Sequence, residues 1–228
     1  ESTQRLPLNL LGEELPRDEA SGVTFLPQNA QTEDWKGGLS APGGRLYFIK
    51  DAQMTHKQEA LEEGHAFRYV VVNAEGDLLD KGQLVATGLP MMVWKLDEPV
   101  DWQTVDAFVH EGEYTGTVTL FDPSGEYTIQ TSRIRSCIRG NSSRWADKKS
   151  FKVKLLNEKG EKRKLSLCGM RKDDDWILDA LSADDTRLRE VSAFRLWEEI
   201  IRDNPSDRIG SRMCYMELVA DGQYQGVY

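Results

Sequence analysis

Three cysteines, three histidines and no long apolar run set the first limits on this 228-residue chain. Cys137, Cys168 and Cys214 are too few and too scattered for a disulfide framework or a zinc site. Each sits in an apolar or alternating stretch, so all three are expected to pack as small core residues. His56 and His65 have no further ligand at metal spacing. No apolar run approaches the roughly 18 residues that a membrane span needs, so no helical span is expected. No segment is low-complexity and no period of about 20–50 residues repeats, which excludes solenoids and propellers. No signal peptide is visible, and the first residue is Glu1 rather than Met, from which a processed or trimmed chain is expected. Export or cell-envelope association would therefore leave no mark in the sequence.

What is present is ordinary in amount and uneven in placement. Hydrophobic residues at 39% and charged residues at 29% suit one large or two small domains with real cores. The net charge of −9 conceals an asymmetry. Between Arg133 and Lys172 there are 14 Lys/Arg against 3 Asp/Glu; the rest of the chain has 15 against 35. An acidic protein with one basic segment is poorly built to hold nucleic acid, because most of its surface repels the backbone. A focused site for a small polyanion fits that distribution better.

The basic segment begins with a hairpin pattern, RIRSCIRGNSSRWADKKSFKVKL from Arg133 to Leu155. Two runs of period-2 alternation flank Gly140-Asn141-Ser142-Ser143, four small or turn-forming residues. Arg139, Arg144, Lys148 and Lys149 border the turn. Backbone donors and cations around a glycine-containing loop suit a phosphate cradle; the plainer alternative is a basic hairpin with a solvated loop.

Around this hairpin the chain divides into three expected parts. Residues 1–20 read as a tail or linker, with a short turn near Leu10 and Leu11. Residues 21–88 read as a β-rich accessory domain. In it Arg45–Ile49 and Phe67–Val72 are strands, a turn at 73–77 leads to a returning arm through Val85, and a short helix is expected over Gln53–Glu63. Residues 89–228 open with a buried strand at Leu89–Trp94. A turn or short helix at Asp101–Phe108, a strand at Glu113–Phe121 and a turn at Asp122–Gly125 follow, and Tyr127–Ile129 pairs back into the hairpin. Beyond it come a turn at 157–160, a short strand over Arg163–Leu167 and a polar turn at Asp173-Asp174-Asp175. Three adjacent carboxylates do not share one face of a helix or strand, so a metal role is not assigned to them. Asp184-Asp185-Thr186 supplies a cap for a helix from about Arg187 to Arg202, ended by Asn204-Pro205. Its arc of Ala193, Phe194, Leu196, Trp197, Ile200 and Ile201 is apolar, and Glu190 falls inside it. A strand over Met213–Ala220, a turn at Asp221-Gly222 and a partner strand over Tyr224–Tyr228 close the chain. The expected fold class is α+β, mainly antiparallel β with one principal helix.

Four strings in this order, IRGNSS…KKSFKVKL, LCGMRKDDDWILDA, DTRLR and MELVADGQYQGVY, resemble the CotH family, the spore-coat-protein-H-like kinases. The resemblance spans roughly Leu89 to Tyr228. It implies a kinase small-lobe-like fold, ATP binding with a divalent metal such as Mg, and phosphoryl transfer to a protein that the sequence does not identify. Two departures stand out: Glu190 where the family usually shows Asn, and Asp221 for the usual Asn before Gly222. In such lobes a glycine loop covers the phosphates, and a lysine set by a helix glutamate grips them. The implied nucleotide-binding residues are Arg139, Gly140, Asn141, Ser142, Ser143, Lys148, Lys149, Lys152 and Glu190, with Glu190 facing inward toward a hairpin lysine. The family's catalytic carboxylates would follow Tyr228, so no catalytic or metal-binding residue is assigned and no phosphoryl transfer is expected of these residues alone. The alternative is a non-catalytic β-rich envelope or surface module that grips an acidic partner or glycan.

Overall fold

The computed structural model describes residues 5–28, 38–50, 53–56, 61–102, 104–105, 112–124, 129–203 and 210–228. The two alternating runs pair as expected. Strand β11 (Ile129–Arg139) and β12 (Ser150–Leu156) are antiparallel, in register from Arg133 against Leu156 to Arg139 against Ser150. Ile134, Ile138, Phe151, Val153 and Leu155 fill one buried face. Arg133, Arg135, Arg139, Lys152 and Lys154 alternate with them on the other.

Five more strands extend the sheet: β9 (Met91–Leu96), β10 (Tyr114–Phe121), β13 (Asp175–Leu178), β14 (Glu217–Ala220) and β15 (Gln223–Val227). The order is β13-β12-β11-β10-β9-β14-β15, antiparallel throughout except where β14 runs parallel to β9. Five strand spacings separate β12 from β15, about 24 Å in a flat sheet. Yet the Phe151 ring on β12 lies 6.0 Å from the Tyr228 ring, and 5.1 Å from that of Trp94 on β9. The sheet therefore curls around its apolar face until its far ends approach one another. Asp221 and Gly222, with φ of 49° and 72°, form the tight β14–β15 turn. The Asp221 carboxylate also accepts the Leu96 and Val100 N–H groups at 2.9 and 3.2 Å, which pins that turn to the end of β9.

Where β9, β14 and the end of β10 lie, the opposite face of this sheet is covered by the N-terminal strands. These are β1 (Asn9–Leu10), β2 (Glu13–Glu14) and β4 (Leu39–Ser40) in one small sheet, and β3 (Val23–Leu26), β5 (Arg45–Lys50), β6 (Gln53–Thr55), β7 (Ala66–Val72) and β8 (Leu78–Ala86) in another. Leu8, Leu10, Phe25, Phe48, Tyr69 and Leu84 share a core with Met91, Phe121 and Val219 from the curled sheet. The stretch read as a tail thus supplies β1, β2 and the buried Leu8, Leu10 and Leu15.

Four sequence expectations change. Gln53–Thr55 is strand β6 rather than the start of a helix, and the described Leu61–Glu63 is not helical; residues 57–60 lie outside the described residues. Pairing with β5 overrides the local helical spacing. Residues 163–167 make only an isolated bridge, Leu165 to Asp173, because no neighbouring strand continues the ladder. The strand expected from Met213 begins at Glu217, although Met216 exchanges backbone hydrogen bonds with Tyr228. Cys168 and Cys214 form a disulfide, Cα atoms 6.4 Å apart, while Cys137 stays free. A separation of 46 residues gives no local sign of that contact. Of the expected turn over Asp101–Phe108, residues 103 and 106–108 fall outside the described residues, as do Gly125–Thr128.

The single described helix, α1 (Arg189–Asp203), starts where a cap was expected: the Asp184 carboxylate accepts the Arg189 N–H at 2.9 Å and the Thr186 N–H at 3.1 Å. Its apolar arc is not buried on the sheet. Only Val191 is buried, and Leu196 and Ile200 are 58% and 46% exposed. Helical spacing reports an apolar face, not which surface meets it. On the returning chain, the Trp197 ring lies close against Gly210 and Glu198 pairs with Arg212.

Candidate anion-binding site at the end of the curled sheet

The β11–β12 hairpin ends in the loop 140–149, as its sequence indicates. Gly140 has φ of 108°, and a Cβ there would meet Ser143 Oγ at 1.9 Å. Glycine is required on both counts. A 3-10 turn over Ser142–Trp145 follows. The N–H groups of Arg144 and Ala146 are spent on its carbonyls at Asn141 and Ser143. Gly140, Asn141, Ser142 and Ser143 are exposed at the tip.

The cations around the loop divide into two groups. Those on the strands meet carboxylates that fold onto them: Arg133 with Asp97 at 2.7 Å, Arg135 with Glu113 at 3.6 Å, Arg139 with Asp179 at 3.5 Å and Lys152 with Asp175 at 3.2 Å. Lys154 shares Asp175 at 3.9 Å, and beyond the strands Lys162 meets Asp174 and Arg171 meets Asp173. The hydrogen bonds from Arg133 hold the Asp97 carboxyl below its usual range. Most of the positive excess counted along the segment is therefore neutralised in space.

The loop cations find neutral oxygens instead. Lys149 Nζ donates to the carbonyls of Arg144 and Ala146 at 3.1 and 2.7 Å, bracing the 3-10 turn. Arg144 Nη2 donates to the Ile138 carbonyl at 3.2 Å. Lys148 Nζ donates to the Val227 carbonyl at the end of β15 and sits 3.8 Å above the Tyr228 ring centroid. Arg187 Nη1 reaches the same Val227 carbonyl at 3.4 Å. Among the described residues, neither Lys148 nor Arg187 forms an ion pair. Burial, together with the Arg187 charge and against the pull of Asp179, brings Lys148 down to about 8. The Tyr228 hydroxyl is pushed up by burial.

Of the residues proposed from sequence, the fold gathers Arg139, Gly140, Asn141, Ser142, Ser143, Lys148 and Lys149 at one end of the sheet. Lys152 lies apart, in the row with Lys154. Glu190 is exposed in the first turn of α1 with no cationic partner among the described residues, which corrects the expectation of an inward, paired carboxylate. The helix pairs with the returning chain through Glu198 and Arg212. Sequence reading missed Arg187, Val227 and Tyr228 as members of this end. Arg187 stood in plain view within the DTRLR string, but its left-handed backbone, φ 54°, has no signature in an arginine.

Two cations converging on one neutral carbonyl fit an anion. Among the described residues, no group of three or more His, Cys, Asp or Glu side chains could hold a metal ion. Among the described residues no helix is long and apolar enough to cross a membrane. Neither a curated protein nor a solved structure matches the chain. Residues 137–228, from the last residues of β11 through β15, match the family described as CotH kinase protein, so the C-terminal part of this chain carries a CotH family domain.

Proposed function

We propose that this chain serves as the nucleotide-binding portion of a CotH-like protein kinase, whose complete activity is transfer of a phosphoryl group from ATP to a protein. The observation that carries the reading is an overlap. The family match begins at Cys137 and takes in the glycine loop, Lys148, Arg187 and the β15 end where the two cations meet. The succession of strand, glycine loop, strand, helix and hairpin supports a kinase small-lobe-like arrangement. In this reading ATP supplies the phosphoryl group, Lys148 and the exposed loop residues Gly140–Ser143 hold its phosphates, and Lys149 keeps the loop in shape. Phosphate oxygens are strong acceptors, and charged donors in a half-buried setting bind them more firmly than solvated lysines do. Calorimetric titration of the full chain with ATP tests the proposal. A saturable 1:1 isotherm, competed by ADP, is expected; absence of binding at millimolar ATP overturns it.

A further inference from the structure

The strand cations have carboxylates, and Lys149 and Arg144 are occupied within the loop. What sets Lys148 and Arg187 apart is that they converge on one carbonyl, that of Val227. Lys148 comes from the hairpin loop and Arg187 from the segment before α1, 39 residues later, and they meet at a carbonyl of a third element. Lysine carries three N–H donors and arginine five. Each spends one on Val227, which leaves donors on both sides of a neutral oxygen too weak to balance two charges.

Arg187 is also held where it is at some cost. Its φ of 54° lies in the left-handed region, where a side chain is disfavoured. The surroundings impose it: the Arg187 N–H donates to the Asp184 carbonyl at 2.9 Å, and its carbonyl accepts the Tyr215 hydroxyl. Such over-determined strain aims a side chain. Here it brings a guanidinium to the Val227 carbonyl that Lys148 also reaches, a like charge, while the Tyr228 ring lies against the Lys148 ammonium.

We infer that Lys148 and Arg187 together form a phosphate-binding pair that grips a phosphoryl group of a polyphosphate chain beside the Val227 carbonyl. A planar guanidinium and a compact ammonium suit that ligand, the first taking two oxygens and the second acting as a point charge. The pair rests on the nucleotide reading only for the source of the phosphate. Arg187 thereby joins the binding residues, and the glutamate-set lysine expected from sequence gives way to an arginine-set one.

The test titrates inorganic tripolyphosphate, and separately ATP, into the full chain and into Arg187→Gly and Arg135→Gln. Glycine accepts the left-handed backbone, so Arg187→Gly should leave the thermal midpoint unchanged or raised while weakening tripolyphosphate about 10- to 100-fold, the usual worth of a charge-assisted contact. Arg135→Gln, which disturbs only a strand ion pair, should stay within twofold of the parent. Binding should also take up protons near pH 8, seen as a dependence of the heat on buffer ionisation, because a phosphate beside Lys148 restores its charge against Arg187 and adds to the pull of Asp179. Undiminished tripolyphosphate binding in Arg187→Gly overturns the pair; if that variant still binds ATP, the nucleotide reading survives alone. Arg187-dependent tripolyphosphate binding with no binding of ATP supports the pair and removes the nucleotide reading. A parent chain that binds neither ligand refutes both.

Discussion

Two basic regions of this molecule meet at one hairpin and behave differently. Along the strands, Arg133, Arg135, Arg139, Lys152 and Lys154 each face a carboxylate. At the loop end, Lys148 and Arg187 face a carbonyl, an aromatic ring and each other. Charge density along the sequence is higher in the first region, yet unmet charge is found in the second. The difference teaches that an anion site is marked by cations without partners, and that folding decides which those are. Curling of the sheet makes the distinction, because it carries β15 and Tyr228 to the hairpin end.

The largest effect should come from breaking what both regions stand on. Phe151 is buried between the Trp94, Trp102 and Tyr228 rings, on the reverse of the row bearing Lys152. Phe151→Ala should lower unfolding free energy by about 3–5 kcal/mol, the usual cost of a large-to-small change in an aromatic core. Denaturant melts would measure it. A loss under 1 kcal/mol would mean that the curled core is not what brings Tyr228 to the loop.

Next is the covalent tie that the strand rows lack. The Cys168–Cys214 disulfide fastens the chain returning from α1 to the sheet, two residues before Met216 pairs with Tyr228. Cys214→Ser should cost about 2–4 kcal/mol, by the loop-closure account for a separation of this size. Reductant should reproduce the loss in the parent chain and add nothing in the variant. Equal melts with and without reductant in the parent chain would show that the tie contributes nothing.

How much of this was legible beforehand depends on distance along the chain. The hairpin, its glycine tip, the Asp221-Gly222 turn and the Asp184 cap were readable, because alternation, positive-φ turn residues and caps are properties of neighbours. The family match covers the later part of the region whose strings suggested it. Illegible were the contacts that close on curling: Lys148 with Val227, Phe151 with Tyr228, Cys168 with Cys214. Glu190 misled for a related reason, since an apolar arc names a face without naming its partner. So did the count of positive charge, which could not foresee Asp97, Glu113 and Asp179 folding back onto it.

A smaller effect separates the regions by pH. The folded value for Lys148, about 8, lies below the ordinary 10.5, so the unfolded chain holds more protons between those limits. By linkage, stability contributed at this group rises with pH across roughly 8 to 10.5 and is flat below. Lys148→Met should remove that rise, seen as a shallower dependence of the urea midpoint on pH than in the parent. Lys154→Met, in the paired row, should leave the slope alone. Identical slopes in parent and Lys148→Met would place Lys148 in an ordinary solvated setting.

The smallest effect belongs to the strand ion pairs, and it sharpens the comparison most directly. Arg135 and Glu113 are 3.6 Å apart, with side chains 42% and 60% exposed. That separation is too long for a charge-assisted hydrogen bond, and water screens what attraction is left. Removing either partner should cost about 0.2–1 kcal/mol, and a double-mutant cycle over Arg135→Ala and Glu113→Ala should return a coupling in that range. Arg133 with Asp97 should couple more strongly, because two parallel hydrogen bonds at 3.0 and 2.7 Å fix both groups. Tripolyphosphate affinity should be indifferent to all of these changes. If Arg135→Ala weakened that affinity as much as Arg187→Gly, the strand row would be part of the anion site, and the division between met and unmet charge would not describe this hairpin.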